Sequence, residues 1–181
     1  MTRPSVRLLL PLAALGLVLA VVAPSLAGAA SAPSARTNVI KGGPSKHKNA
    51  FGIKDSMRFS PAKFTIASGG TLTLKGKTSA KEGPHTFSLV KSSDLPKTGK
   101  QVQNCSVCKS FFKKHGANEK TGKIKHPLLN TGATGFDSPG DSIVIAPGKS
   151  TTKITFSAKS GTTFSYLCAV HPWMQGKVTV K

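Results

Sequence analysis

The segment SYLCAVHPWMQG, residues 165–176, places three kinds of metal-binding side chain within seven positions. Cys168 offers a thiolate, His171 an imidazole nitrogen and Met174 a thioether, with two residues between successive members. Thiolate sulfur favours Cu(I), and imidazole binds both Cu(I) and Cu(II), so this set suits an ion that changes between the two states. A site of two histidines, one cysteine and a weak axial methionine needs a second histidine from elsewhere in the chain.

His85 is the candidate for this remaining ligand, because it begins the alternating segment HTFSLV, which is typical of a strand. His47 falls in a low-complexity basic stretch, and His115 and His126 fall in an irregular segment, so a predicted strand holds none of these three. The expected cofactor is one type 1 copper ion. Its expected ligands are His85, Cys168, His171 and Met174.

Residues 51–181 consist mainly of short alternating segments that are rich in Thr, Val, Ile and Phe and are separated by Gly, Pro and Ser. Eight such segments predict an all-β fold, a two-sheet antiparallel Greek-key sandwich. The predicted strands are 57–59, 63–67, 71–77, 85–90, 142–145, 151–157, 163–169 and 177–181. An insertion at about 91–141 interrupts this pattern, and within it residues 107–115 predict one short helix among loops.

Cys105 and Cys108 stand at the start of this predicted helix. In an exported chain with three cysteines, a disulfide between these two would leave Cys168 as the thiol that is free for metal. A second metal or redox site is the alternative, because Cys108 and His115 would share one helix face, with Cys105 or His126 completing the set. Both interpretations remain open at the level of sequence.

The N-terminal residues have the pattern of a secretory signal peptide. Arg3 and Arg7 precede an apolar run at 8–22, and small residues follow at 27–29, so residues 1–29 are the predicted signal. The run is shorter than a membrane span needs, so we expect an exported protein, periplasmic or extracellular, with no membrane span after cleavage. Residues 30–50 predict a flexible basic linker, with an irregular strand near 37–40 as the alternative.

The formal net charge is +20, from 26 Lys and Arg against 6 Asp and Glu. Such a surface attracts polyanions. Nucleic acid is not the expected partner, because the chain is predicted to be exported and aromatic residues, at 6%, are too few for a base-stacking surface. We expect acidic redox protein partners or an anionic cell envelope and a monomeric chain, with simple solubility as the alternative explanation of the charge.

Four segments resemble the cupredoxins, small blue copper proteins of the plastocyanin and amicyanin kind. They are RFSPAKFTIASGGTLTL, GPHTFSLV, IAPGKSTTKITFS and FSYLCAVHPWMQGKVTV. The short spacing of the ligand segment is similar to the loop of amicyanin. The resemblance implies a sandwich with copper near one end, three ligands in a trigonal plane and Met174 on the axis. The implied planar ligands are His85, Cys168 and His171.

The resemblance also implies roles for residues beside the ligands. Relatives carry Asn or Ser after the first histidine, where this chain has Thr86, whose hydroxyl would bond toward the Cys168 loop. Relatives pass electrons through the loop histidine inside an apolar patch. Pro172 and Trp173, which flank His171, would form this electron port and partner-docking surface.

These features predict a one-electron carrier and not an enzyme. A two-copper site would need a second cysteine in the loop, where position 172 is proline, and a multicopper oxidase would need His-x-His pairs, which the sequence lacks. The alternative function is a module that sequesters or delivers copper at the cell surface.

Overall fold

The computed structural model describes residues 34–118 and 120–181. The predicted signal peptide, residues 1–29, lies outside the described residues. The strands are β1 Ala35–Lys41, β2 Arg58–Ser60, β3 Lys63–Ile66, β4 Thr71–Lys77, β5 His85–Val90, β6 Leu128–Leu129, β7 Ser142–Ile145, β8 Lys149–Thr155, β9 Thr163–Leu167 and β10 Gln175–Val180. The α-helices are α1 Gly99–Gln103 and α2 Ser106–His115. Short 3₁₀ turns occur at Ala80–Glu82 and Ser92–Asp94.

The strands form a sheet of four, in the order β2-β1-β4-β8, and a sheet of six, in the order β3-β10-β9-β5-β7-β6. This confirms the predicted all-β sandwich. The sheets are mixed, however, and not antiparallel throughout, because β1 runs parallel to β4 and β3 runs parallel to β10. Parallel neighbours require a long connection. Each of these pairs is separated by at least two other strands in the chain, which supplies that connection.

The core between the sheets comes from alternate residues of the central strands. Leu72 and Leu74 of β4 are fully buried on one side, and Phe87 and Leu89 of β5 are fully buried on the other. The ring of Tyr166 packs on Phe87 with centroids 4.4 Å apart. Burial of these side chains supplies the main free energy that holds the two sheets together.

Tyr166 also depends on a close approach of backbone. Its hydroxyl donates to the carbonyl of Ala62 at 2.9 Å. A Cβ on Gly176 would collide with both the Tyr166 ring and this carbonyl, so the second residue after Met174 must lack a side chain. The turn and the core are thereby packed as one unit.

The prediction of a flexible linker over residues 30–50 is wrong for residues 35–41, which form β1 between β2 and β4. Ile40 is buried in the core, and Asn38 is buried and donates its amide to the carbonyl of Pro61 at 2.6 Å. The buried face of β1 thus contains a polar residue. The alternation of apolar and polar side chains along β1 is therefore too weak to identify this strand from the sequence.

The insertion covers the second face of the six-stranded sheet. All six residues of β5 are buried, because one face packs on the core and the other lies under the insertion. Val90 and Leu167 of the sheet pack against Cys105, Cys108 and Phe111. The helix predicted at 107–115 is observed as α2 and ends at Gly116, whose φ of 59° gives a left-handed cap.

Two short elements of the insertion, α1 and β6, were not predicted. With five and two residues respectively, they are too short to show a periodic pattern of apolar residues. In the part of the chain that the structure describes, no helix has the length and apolar character needed to cross a membrane.

Replacing Ile40 with Ala tests whether residues 35–41 are part of the folded domain. We expect the free energy of unfolding to fall by about 2–5 kcal/mol, the usual loss for a buried isoleucine. Equilibrium urea unfolding measures this change. Lys41→Ala, on the exposed side of the same strand, is the matched control and should change stability by less than about 0.5 kcal/mol. A flexible linker would make both substitutions neutral.

Candidate metal centre

The pairing of β5 with β9 decides where the candidate ligands meet. The two strands are antiparallel, with Ser88 opposite Leu167. Continuing this register beyond the pair carries the start of β5, at His85, toward the residues that follow β9, beginning with Cys168. The first histidine and the cysteine therefore lie at the same end of the sandwich.

A tight turn brings the second histidine back to the cysteine. The backbone N–H of Cys168 donates to the carbonyl of Met174 at 3.0 Å, and the N–H of Met174 donates to the carbonyl of His171 at 2.8 Å. These bonds close residues 168–174 between β9 and β10. Backbone hydrogen bonds within the chain thus hold the turn geometry.

Three buried side chains converge at this end. The Nδ1 atoms of His85 and His171 lie 3.1 Å apart. The Sγ atom of Cys168 lies 3.7 Å from Nδ1 of His171 and 4.0 Å from Nδ1 of His85. All three side chains are buried, and His171 is the most accessible at 8% exposure. Two imidazole nitrogens and one sulfur directed at a common point are a donor set that fits a copper ion.

His85 is oriented by a partner on its far side. Its Nε2 atom lies 3.1 Å from the hydroxyl of Thr78. With the ring proton on Nε2, donated to that hydroxyl, the lone pair of Nδ1 faces the cluster. Burial, followed by the nearby charge of His171, lowers the pKa of His85 to about 4. The ring is therefore neutral, as a metal ligand must be, over the physiological pH range.

The other two donors are also held in their neutral forms. Burial lowers the pKa of His171, against the opposing effects of the Asp55 carboxylate and a hydrogen bond to the backbone of Glu82. Burial raises the pKa of the Cys168 thiol, against hydrogen bonds from the backbone N–H of Thr86 and from the backbone of the turn. A metal that binds here must displace the thiol proton.

Thr86 contacts the cysteine and the residue after it. Its backbone N–H donates to Sγ of Cys168 at 3.3 Å, and its hydroxyl accepts the N–H of Ala169 at 2.7 Å. One residue of β5 therefore holds both the sulfur and the backbone beside it.

The remaining residues of the turn lie around the cluster. Met174 is buried, and its backbone bonds to both Cys168 and His171. Pro172 is buried, and Trp173 is half-buried with its ring edge-on to His171 at a centroid distance of 5.2 Å. Within residues 34–118 and 120–181, Nε1 of Trp173 has no hydrogen-bond partner.

The insertion does not hold a second metal cluster among the described residues. Cys105 and Cys108 form a disulfide, so neither thiolate is available. His115 lies on the sheet, where Nε2 contacts the hydroxyl of Ser142 at 2.9 Å and Nδ1 bonds to the carbonyl of His126. The side chain of His126 is exposed.

Sequence reasoning missed the polar residues around the site. Thr78 follows β4 and has no local pattern that links it to His85 seven residues later. Ser88 and Ser142 are opposite each other in β5 and β7, and both are buried. No signal in the sequence distinguishes these positions from exposed ones.

A β-sandwich with a buried site of two histidines and one cysteine at one end defines a small copper protein of the cupredoxin class. The family model for copper binding proteins, plastocyanin/azurin family, matches residues 46–181. The chain therefore belongs to the plastocyanin/azurin family of copper-binding proteins, and the resemblance to cupredoxins is confirmed. Members of this family bind copper and are generally electron carriers.

Several solved cupredoxin structures are similar to this chain. Auracyanin A from Chloroflexus aurantiacus is 22% identical, with 82% of this chain and 100% of that chain covered and a TM-score of 0.41. An auracyanin from Roseiflexus castenholzii is 21% identical, with 82% and 97% covered and a TM-score of 0.42. The purple cupredoxin from Nitrosopumilus maritimus is 16% identical, with 81% and 99% covered and a TM-score of 0.40. Among curated proteins no significant match is found.

The lowered pKa of His85 predicts how the metal-free protein responds to acid. The folded state keeps His85 neutral down to about pH 4, whereas in the unfolded chain it protonates near its ordinary value of 6.5. The unfolded state therefore binds more protons between these values, and stability falls as the pH is lowered from 6.5 toward 4. The loss from His85 is about 3 kcal/mol at most.

Urea unfolding of the metal-free protein at several pH values measures this loss. Because carboxylates titrate in the same range, the comparison is with His85→Gln, which removes only the imidazole. We expect the stability of His85→Gln to depend less steeply on pH than that of the wild type. Parallel curves for the two proteins would contradict the assignment.

Proposed function

We propose that this chain is an exported one-electron carrier that binds one type 1 copper ion through His85, Cys168, His171 and Met174. The observation that carries the proposal is the convergence of two imidazole nitrogens and one buried sulfur in a member of a copper-binding family. Copper bound by such ligands supplies one redox electron by changing between Cu(I) and Cu(II). The proposal includes no catalysed reaction.

The protein's part in electron transfer is to hold its donor atoms still. His85 is held by Thr78, the sulfur of Cys168 by the N–H of Thr86, and His171 by the backbone bonds of its turn. Ligands fixed in this way move little when the charge at the site changes, which keeps the reorganisation small. Burial of all three side chains also keeps bulk water from their donor atoms.

Met174 is the proposed fourth residue that would hold the ion. Its side chain is buried, and its backbone bonds on both sides to ligand residues place it at the closing end of the turn. A thioether is a weak ligand that favours Cu(I) and tunes the potential of such sites. Core packing is the ordinary role of a buried methionine, so the assignment rests on its place in the turn.

His171, with Pro172 and Trp173, is the proposed electron port. His171 is the most accessible of the three clustered residues, and the Trp173 ring stands against it at the molecular surface. An exchange partner docking over this apolar edge would approach the site without crossing the sandwich. Electron transfer through the imidazole would then leave the protein at the most accessible of the three clustered residues.

The charge and the disulfide support the proposed setting. A net charge of +20 favours acidic redox proteins as partners, because opposite charge accelerates their encounter. The Cys105–Cys108 disulfide suits an oxidising compartment, and cupredoxins are generally periplasmic or extracellular. We propose that the exported chain is monomeric, lacks a membrane span and does not bind nucleic acid.

Cys168→Ser tests the copper site. Addition of Cu(II) to the wild-type protein should produce an intense visible band from charge transfer between thiolate and copper. In Cys168→Ser this band should be absent, because a hydroxyl cannot supply the thiolate. Lys114→Ala, an exposed change on α2, is the control and should keep the band.

Reversible redox cycling of the loaded protein separates an electron carrier from a copper-delivery module. A carrier keeps its copper through repeated reduction and reoxidation, and the visible band returns in full. Copper that dissociates on reduction would support delivery instead.

Trp173→Ala tests the proposed electron port. We expect the copper band to persist while electron exchange with a small acidic redox protein slows by about tenfold, equivalent to about 1.4 kcal/mol in the barrier. Stopped-flow absorbance measures the exchange rate. Trp173→Phe retains an aromatic ring and should be affected less. Unchanged exchange in Trp173→Ala would indicate that this side chain only packs on the core.

A further inference from the structure

The face of β5 that lies under the insertion is polar, although it is buried. Thr86 and Ser88 point to this face, and Ser142 of β7 stands opposite Ser88 in the antiparallel register. His115, at the C-terminal end of α2, packs over them with 2% exposure. Buried hydroxyls require hydrogen-bond partners, and here they find one another.

These side chains form one continuous series of hydrogen bonds, which we name the hydroxyl chain. It begins where the N–H of Ala169 donates to the Thr86 hydroxyl at 2.7 Å. The Thr86 and Ser88 oxygens are 2.9 Å apart, and the Ser88 and Ser142 oxygens are 2.7 Å apart. Ser142 then lies 2.9 Å from Nε2 of His115.

The two ends of the hydroxyl chain set its direction. Nδ1 of His115 bonds to the carbonyl of His126, which can only accept, so the ring proton lies on Nδ1. In the neutral ring Nε2 is then an acceptor and takes the Ser142 proton. Ser142 in turn accepts from Ser88, and Ser88 accepts from Thr86, whose oxygen receives the N–H of Ala169.

We propose that His115 is a positioning residue for the metal centre, acting through the hydroxyl chain to aim the Thr86 hydroxyl away from the sulfur of Cys168. As the terminal acceptor, His115 draws every hydroxyl proton of the series toward the insertion. Successive bonds of this kind polarise and strengthen one another. An inserted helix thereby acts on a ligand that it does not touch.

The consequence at Cys168 follows from what the Thr86 hydroxyl does when released. If Ser88 or His115 no longer draws its proton away, the neighbouring sulfur is the acceptor to which the hydroxyl can turn. An added hydrogen bond to the thiolate withdraws electron density from sulfur, which favours the reduced ion and raises the midpoint potential. The hydroxyl chain thus keeps the potential lower than it would otherwise be.

The electronic state of His115 agrees with this role. Burial is the largest influence and lowers its pKa, so the ring stays neutral and Nε2 remains an acceptor. A protonated ring would donate at both nitrogens and would reverse the direction of the hydrogen bonds in the hydroxyl chain. The Thr86 oxygen would then accept from both the Ser88 hydroxyl and the N–H of Ala169.

The test uses two variants that break the hydroxyl chain at different links, His115→Leu and Ser88→Ala. His115→Gln is the conservative variant, because its amide oxygen can still accept the Ser142 proton. Phe111→Leu is the matched control, because it alters the packing beside His115 on the same helix without removing any hydrogen bond of the hydroxyl chain.

The first arm uses metal-free protein and NMR. In the wild type the nitrogen resonances of His115 should show a protonated Nδ1 and an unprotonated Nε2. The Ala169 amide proton should shift upfield in His115→Leu and Ser88→Ala, because its hydrogen bond to Thr86 weakens. It should stay near the wild-type position in His115→Gln and Phe111→Leu. An unchanged chemical shift of the Ala169 amide proton in both His115→Leu and Ser88→Ala would overturn the proposal.

The second arm measures midpoint potentials of copper-loaded protein, and only this arm rests on the proposed function. His115→Leu and Ser88→Ala should each raise the potential, with His115→Gln and Phe111→Leu close to wild type. The double variant should shift no further than the larger single shift, since both changes cut one path. An unchanged or lowered midpoint potential in the single variants, or additive shifts in the double variant, would overturn the proposal. Absence of the copper band in the wild type would refute the proposed function, and the first arm would then decide the role of His115.

Discussion

The metal centre depends on the hydrogen bonds between β5 and β9, which join two segments that are far apart in the chain. Thr86 and Cys168 are 82 residues apart, yet a backbone N–H of one donates to the sulfur of the other. The strand register that permits this bond also sets the distance from His85 to the ligand turn. A shift by one residue would turn His85 to the opposite face of the sheet. The core packing of Phe87 and Leu89, which specifies that register, therefore also specifies the site.

Burial has opposite effects on the three donors, and the structure uses both. It disfavours the charged forms, so the two imidazoles are held neutral and ready to bind while the thiol is held protonated. The neighbouring hydrogen bonds, from His85 to Thr78 and from Thr86 to Cys168, then select one orientation of the His85 ring and of the sulfur. These hydrogen bonds hold the donors in place, so the site is preorganised.

The insertion contributes more than surface area. It covers the outer face of the six-stranded sheet with a second apolar cluster, and a disulfide closes its helix start. Because that face is covered, the polar residues of β5 cannot bond to water and must bond to one another and to His115. The hydroxyl chain is therefore a consequence of placing a helix over a strand that would otherwise face solvent.

Local patterns in the sequence predicted the sandwich, eight of its ten described strands to within two residues at each end, and the three clustered donors, because apolar alternation and the ligand spacing Cys168, His171, Met174 can be recognised over short segments. The sequence did not reveal β1, whose buried face carries Asn38, or the parallel pairing of β1 with β4 and β3 with β10. Nor did it reveal that Thr86, Ser88 and Ser142 are buried. These features depend on the tertiary fold. Which strand pairs with which, and whether a polar strand face meets water or an inserted helix, is set by residues that are distant in the chain.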